Sequence, residues 1–246
     1  MCSGKENKML NKRNLMLFFA AVIAVGAIAF TLALLFQDDK VTNRFTASSL
    51  NLELIEENYD ALTDRQRTTL VPNALLDKDP KVKNTDRANA FVFIKVTVPV
   101  QSVTYVAPDG TRGTKAPQEI FYLKTSSNQN EESSSFNTAN DGEHWVRLES
   151  AEDGADLSGT TRSYVFGYSV YLSPDETTET LFDYIQLKNI LQDELDPSAS
   201  LFVNVEAYGI QADYLKGIEK DSGSVKAVMT KEQLETIYAY LSPSDE

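Results

Sequence analysis

The stretch from Ala90 to Val98 constrains the fold more than any other part of the chain. Two series of side chains alternate along it: Ala90, Val92, Ile94, Val96 and Val98 on one face, and Phe91, Phe93, Lys95 and Thr97 on the other. A period of two with β-branched residues is typical of a strand with one fully buried face. Proline cannot donate a hydrogen bond to a sheet, so we expect Pro99 to end the strand or to mark an edge.

The same period of two recurs along the rest of the chain. It predicts further strands at 50–55, 81–83, 145–148, 163–172 and 201–212. The predicted core faces of the last two are Tyr164, Phe166, Tyr168, Val170 and Leu172, and Leu201, Val203, Val205 and Ala207. Near 230–241 the period becomes helical, and Thr230 and Gln233 have the spacing of a capping box. We therefore predict one all-β domain over 34–246, an antiparallel β-sandwich with short helices.

The first 36 residues have the pattern of an export signal. Residues 1–14 carry four basic side chains, and the run 15–36 carries no charge. Thr31-Leu32-Ala33 is a small-x-small site near the polar exit of this run, so we predict a signal-peptide helix over 1–33 that a signal peptidase cleaves between Ala33 and Leu34. The run is also long enough to stay in the bilayer as a signal anchor. In that case the uncleaved segment would be the protein's membrane contact.

Charge and cysteine content exclude several classes of function. The formal net charge is −13, and the chain beyond residue 33 has 19 basic and 35 acidic residues, or −16. Such a surface repels nucleic acid and anionic lipid, so we do not expect nucleic-acid binding. Cys2 is the single cysteine and precedes the apolar run. The exported part therefore has neither an internal disulfide nor a thiolate metal site.

Residues 125–144 form a polar stretch of low complexity, rich in Ser, Asn and Glu. Such a composition buries little apolar surface, so we predict a mobile surface loop. Two interpretations stay open. The loop is either an adaptable binding loop or an insertion that the fold tolerates, since long surface loops cost little free energy.

The run Lys78–Val92, KDPKVKNTDRANAFV, resembles the signature K-D-P-x-V-x-N-x-x-x-x-x-A-[FY]-V of the TasA/camelysin family. Three further runs resemble family elements in the same order: Asp38–Thr46, Leu172–Phe182 and Val203–Ala212. The chain departs from the family pattern at a few points. Ala47-Ser48-Ser49 stand where a glycine is usual, Asn73 and Asp175 replace glycines, and Gly209 replaces an alanine.

This resemblance implies an exported protein of a Gram-positive bacterium with a jelly-roll fold and a SipW-type leader. It further implies a subunit of a biofilm-matrix or cell-surface fibre, whose partners are copies of itself or related matrix proteins. Subunits of the TasA branch are expected to assemble by strand donation, because an extended apolar N-terminus suits the open edge of another sheet. The candidate donor residues are Leu34, Leu35, Phe36, Val41 and Phe45.

Residues for catalysis are sparse. The chain has one histidine, His144, and no H-E-x-x-H, so it lacks the usual ligands of a zinc protease. Adjacent acids such as Asp175-Glu176 and Asp193-Glu194 are expected on the solvated surface of so acidic a protein. We therefore predict no enzyme activity, no cofactor and no metal site. The alternatives are a camelysin-like secreted metallopeptidase and a monomeric adhesin that binds through the 125–144 loop.

Overall fold

A computed structural model describes residues 50–68, 71–138, 143–149, 160–196, 198–199 and 201–241. The chain divides into two units, 1–40 and 41–246, and every described residue belongs to the second. The predicted signal peptide, its cleavage position at Ala33 and Leu34, and the donor residues Leu34, Leu35, Phe36, Val41 and Phe45 lie outside the described residues. Among those that are described, no helix is both long and apolar enough to cross a membrane.

The described residues form twelve strands and three α-helices. The strands are β1 Leu52–Ile55, β2 Leu75–Asp77, β3 Lys81–Asn84, β4 Ala90–Val103, β5 Ala116–Glu119, β6 Phe121–Lys124, β7 Trp145–Leu148, β8 Thr161–Tyr168, β9 Tyr184–Leu187, β10 Asn204–Gln211, β11 Asp221–Ser222 and β12 Val225–Lys226. The helices are α1 Glu57–Asp60, α2 Asp64–Thr68 and α3 Lys231–Ala239, with 3-10 turns at Gln192–Glu194 and Ala212–Tyr214. Each strand pairing among them is antiparallel.

Two layers of sheet enclose the main core. One layer has the order β10-β4-β8-β7, with β5 added to β4, and the facing strands are β2-β9-β6 and the pair β1-β3. The core between them takes Val92, Ile94 and Val96 from β4, Phe166 and Tyr168 from β8, and Leu123, Ile185 and Val82 from the facing strands. The predicted all-β, antiparallel sandwich-like fold is confirmed. The predicted core faces over 90–98 and 163–172 are also confirmed, because all their members lie in this core, although β8 itself ends at Tyr168.

Strand β4 does not end at Pro99, so the first of the two expectations for this residue was wrong. The strand continues to Val103 and takes β5 as its partner from Val100 onward. Pro99 accepts the Ile120 N–H at 3.1 Å, and the Ile120 carbonyl accepts the Lys188 N–H at 2.9 Å. The missing N–H of proline is thus tolerated, because the carbonyl opposite has another donor.

The second face of β4 is buried beneath helix α3. Phe91 and Phe93 pack in a second core with Leu234, Ile237 and Tyr238, and the Phe93 and Tyr238 rings are 5.1 Å apart. The predicted capping box is present: Gln233 N donates to Thr230 Oγ1 at 3.3 Å and Thr230 N to Gln233 Oε1 at 2.8 Å. The polar stretch 216–228 contains the hairpin β11–β12.

The described part of the 125–144 stretch contains no helix or strand, and it is attached to the sandwich at two points. Phe136 inserts against the main core, with its ring 4.7 Å from that of Phe166. The fully buried ammonium of Lys124 donates to the backbone oxygens of Asn128 and Glu131 and to Gln186 Oε1, the last two at 2.8 and 2.9 Å. One aromatic side chain and one buried lysine thus connect this polar segment to the sandwich, while its mobility stays a prediction.

Candidate functional site

An apolar groove of about 290 Å³ lies beside strand β2. Its lining residues are Leu62, Gln66, Val71, Ala74, Leu75, Leu76, Asp77, Phe121, Ile185 and Leu187. Phe121, Ile185 and Leu187 belong to the main core, so the groove opens from the surface toward the sandwich interior. Gln66 and Asp77 are the polar members of the lining. The volume is close to the lower limit of about 300 Å³ for small-molecule pockets, which suits a few side chains better than a cofactor.

Strand β2 runs along this groove as the end strand of its sheet. It pairs with β9 and, within the described residues, with no strand on the other side. Lys78 N donates to Asp183 O at 3.0 Å, which fixes the alternation of the ladder. Leu76 therefore bonds to β9, whereas the N–H and C=O groups of Leu75 and Asp77 point away from it. This edge can accept another strand.

The opposite edge of the same sheet is covered. Ser135 N donates to Leu123 O at 2.7 Å, and Leu123 N donates to Ser134 Oγ at 3.1 Å. Thr125 N likewise donates to Ser135 Oγ at 3.0 Å. The 125–138 segment thus closes the β6 edge, which is one way in which proteins protect an edge strand. The contrast leaves β2 as the open side of this sheet within the part of the chain described.

The Lys78-Asp79 pair at the end of β2 lies in a buried polar cluster. Lys78 Nζ lies 2.9 and 3.0 Å from the two carboxylate oxygens of Glu56, and both side chains are about 95 % buried. The Lys78 ammonium also lies 4.1 Å from the centre of the Tyr59 ring. Asp79 Oδ1 accepts the backbone N–H of Asn58 at 2.9 Å. These residues therefore attach helix α1 to the sheet beside the groove.

Asn84 holds two connections together from a fully buried position. Its Nδ2 donates to Ala88 O at 2.8 Å and to Leu172 O at 3.0 Å, while its Oδ1 accepts the Asp86 N–H at 3.0 Å. One amide side chain thus fixes the turn between β3 and β4 and joins it to the chain after β8. Its contacts are structural, like those of Lys78 and Asp79.

Asn73 and Asp175 adopt the left-handed backbone conformation. Their φ angles are +63° and +66°, the non-glycine examples among the described residues. Asparagine and aspartate tolerate this region better than other side chains, although glycine is the residue best suited to it. The turns at both positions therefore require a positive φ, which a glycine would adopt without strain.

Searches of protein-family models, curated proteins and solved structures found no match. The function is therefore inferred from the contacts that this chain's own residues make.

His144 is half-buried and lies directly before strand β7. Its N–H donates to Ser169 Oγ at 3.0 Å and its carbonyl accepts the Ser169 N–H at 2.9 Å. Among the described residues no group of three or more His, Cys, Asp or Glu side chains could hold a metal ion.

The acidic pairs expected on the solvated surface are partly engaged in structure. Glu194 accepts the Thr104 N–H at 2.6 Å, and Glu176 accepts the Ser173 N–H at 2.7 Å as well as a hydrogen bond from Lys226. Burial alone would raise the pKa of Glu176, but the hydrogen bonds from Lys226 and Ser173 outweigh it and hold the pKa below its ordinary value. Their chemistry is that of structural acceptors.

Sequence reasoning did not find the groove. Its lining comes from α1–α2, β2, β6 and β9, which are far apart in the chain. The one local signal is the apolar pair Leu75-Leu76 after the turn at Pro72-Asn73, in a polar neighbourhood. Strand β2 has the sequence Leu-Leu-Asp, in which two adjacent leucines show no alternation, so a period of two does not reveal it.

Proposed function

We propose that this protein is an exported structural subunit of an extracellular matrix or cell-surface fibre, assembling by β-strand donation. The observation that carries the proposal is the edge strand β2 beside an apolar groove that reaches the main core. Backbone groups of Leu75 and Asp77 supply the pairing, and the groove supplies apolar contact for alternate side chains of an incoming strand.

The proposed occupant is the N-terminal segment of a second copy. Cleavage after Ala33 leaves Leu34-Leu35-Phe36 at the start of the chain. In an extended conformation Leu34 and Phe36 lie on one face, so both side chains can enter the groove while the backbone pairs with β2. The protein would then act by association outside the cell, with signal peptidase as its partner during export.

The residues that resemble the TasA/camelysin signature support this proposal through their contacts. Lys78, Asp79 and Asn84 are buried and bind backbone or a charge partner. Asn73 and Asp175, which stand where the family has glycine, have positive φ angles. If the chain forms the same turns as the family, residues at both positions need a positive φ, as observed.

The test is fibre formation by the chain 34–246, followed by light scattering and negative-stain electron microscopy. We expect Ala74→Trp to abolish growth, because Ala74 is an exposed residue of the groove lining and an indole would fill it. The matched control is Ala116→Trp, an exposed alanine in β5 outside the groove. It should assemble like the parent chain. Deleting 34–43 should also abolish assembly and leave the fold intact.

Three results would contradict the proposal. If Ala74→Trp forms fibres in unchanged yield, the groove is not the site at which the donor strand binds. A particle that stays monomeric at high concentration and binds a wall or host polymer would favour the adhesin. Chelator-sensitive casein cleavage by the pure protein would favour the metallopeptidase.

A further inference from the structure

The outer wall of the groove is a short segment with few apolar contacts. Residues 56–67 contain α1 and most of α2, helices of four and five residues that are too short to be stable alone. The segment contributes Leu62 and Gln66 to the groove. Tyr59 is the buried hydrophobic side chain in this segment, and Leu62 is only half-buried. Its position over the groove therefore depends mainly on polar contacts.

Those polar contacts converge on Lys78 and Asp79. Asp79 Oδ1 accepts the N–H groups of Asn58 at 2.9 Å and Tyr59 at 3.4 Å, while Lys78 pairs with Glu56. We call Glu56, Lys78 and Asp79 the latch. A weaker contact joins Lys81 Nζ to Glu57 at 3.5 Å, where Glu57 is 73 % exposed. Arg67 donates to Asp60 O and Leu62 O, both inside the segment, and so does not attach it to the sheet.

The latch is buried but incompletely hydrogen-bonded. Glu56 Oε1 lies 2.9 Å from Lys78 Nζ, close enough for charge attraction, yet it accepts no hydrogen bond. Asp79 Oδ2 is also buried without a hydrogen-bond partner, and Lys81 Nζ is 3.9 Å from it. Removing charged groups from water costs free energy, and the remaining contacts of Glu56 and Asp79 offset only part of that desolvation penalty. Exposing the latch to water relieves this penalty, so opening of the segment is cheap relative to unfolding of the sandwich.

We propose that residues 56–67 form a flap over the groove, held shut by the latch, and that a partner strand enters while the flap is open. This inference rests on the proposed function for the identity of the entering strand, but the opening itself is a property of the single chain. The flap contributes Leu62 and Gln66 to the groove lining, and its helix α1 lies beside β2. Among the described residues no backbone pairing joins the flap to β2, so its movement would widen the groove while the pairing of β2 with β9 stays intact. The latch thus sets how often the groove is accessible.

Native-state hydrogen exchange on the full chain tests the opening directly. The amides of Asn58, Tyr59, Asp60 and Ala61 report the flap, because they donate to Asp79, Glu56 or Glu57. We expect them to exchange through a local opening with little denaturant dependence, unlike the amides of β4. Equal opening free energies and equal denaturant dependence for flap and β4 would overturn the proposal, since no separate flap would then exist.

Two variants should change the opening free energy of the flap in opposite directions. Lys78→Met leaves Glu56 buried without its partner and should speed exchange of the flap amides by about a hundredfold or more. The double variant Glu56→Leu with Lys78→Met replaces the pair by apolar side chains and should slow that exchange below the parent rate. Lys231→Met, on helix α3, is the control, because it breaks the exposed 2.8 Å ion pair between Lys231 and Glu149. It should leave the flap amides unchanged.

Assembly rates connect the flap to the groove. The double variant should form fibres about tenfold or more slowly than the parent at equal stability, since a tenfold rate change corresponds to about 1.4 kcal/mol. A double variant with slower exchange but the parent's fibre growth would overturn the gating role. If the parent forms no fibres, the proposed function fails, and the exchange results alone decide whether the flap exists.

Discussion

Phe136 places its ring 4.7 Å from that of Phe166 and 5.8 Å from that of Tyr164. One aromatic side chain from a Ser- and Asn-rich segment thus completes a core built by β4 and β8. The same segment covers the outer edge of β6. The loss of this side chain should therefore affect both core packing and edge protection.

We expect Phe136→Ala to lower the free energy of unfolding by about 2 kcal/mol, less than the ~3–5 kcal/mol of a fully buried phenylalanine. Urea denaturation measures the loss. Gln129→Ala is the control, an exposed side chain of the same segment, and should stay within about 0.5 kcal/mol. Equal stability of both variants would mean that the segment does not depend on its aromatic anchor.

Asn84→Ala should cost about 2 kcal/mol, because the Ala88 carbonyl and the Asp86 N–H lose a partner and Leu172 O loses one of two donors. Thermal and urea unfolding test this loss. Asn130 is exposed, so Asn130→Ala provides the comparison with the same chemical change. A loss no larger than that of Asn130→Ala would contradict the structural role assigned to Asn84.

Gly209→Ala should destabilise the fold by about 1–3 kcal/mol through overpacking. A Cβ at this position would lie 2.6 Å from Leu52 Cδ1 and 2.7 Å from Leu50 Cδ2. Gly113→Ala is the matched control, since its new Cβ would meet nothing closer than Tyr105 O at 3.5 Å. In a Leu52→Ala background the cost of Gly209→Ala should shrink, and strict additivity would show that Leu52 is not the obstacle.

Protonation of Glu176 in acid should lower the free energy of unfolding. Its pKa is lowered in the folded state by hydrogen bonds from Lys226 and Ser173, despite the opposing effect of burial. The unfolded chain therefore binds the proton more readily, so this contribution is present at neutral pH and disappears as pH falls through the folded pKa.

We expect the parent protein to lose more stability than Glu176→Gln between neutral pH and about pH 3, by less than about 1 kcal/mol because the pair is partly exposed. Urea midpoints across this range measure the difference. Glu219→Gln, at an exposed acid, should follow the parent. A Glu176→Gln variant with the parent's pH profile would contradict the role of this carboxylate.

The sequence predicts the core face of a strand best where five alternating side chains are apolar. The faces of β4 and β8 were read correctly because each buries a continuous series against one core. Helix α3 was found because a capping box and helical spacing agree at Thr230 and Gln233. Local pattern and tertiary environment give the same answer at these places.

The parts that sequence could not predict depend on distant partners. Pro99 stays inside a strand because Lys188 supplies the hydrogen bond that proline cannot. Phe136 packs against the rings of Tyr164, Phe166 and Phe182, which lie far from it in the chain. The groove joins side chains from four elements, and Lys78 pairs with Glu56 across 22 positions. Each of these relations joins residues that lie far apart in the chain, so a window of neighbouring residues does not reveal the contact.

Strand β4 spans 14 residues and bonds to β10, β8 and β5 along its length. A pulling force directed along this strand would load its many hydrogen bonds in parallel, so that they must shear together and cannot unzip one after another. If the proposed fibre forms, such a strand would resist tension along its own direction within each subunit.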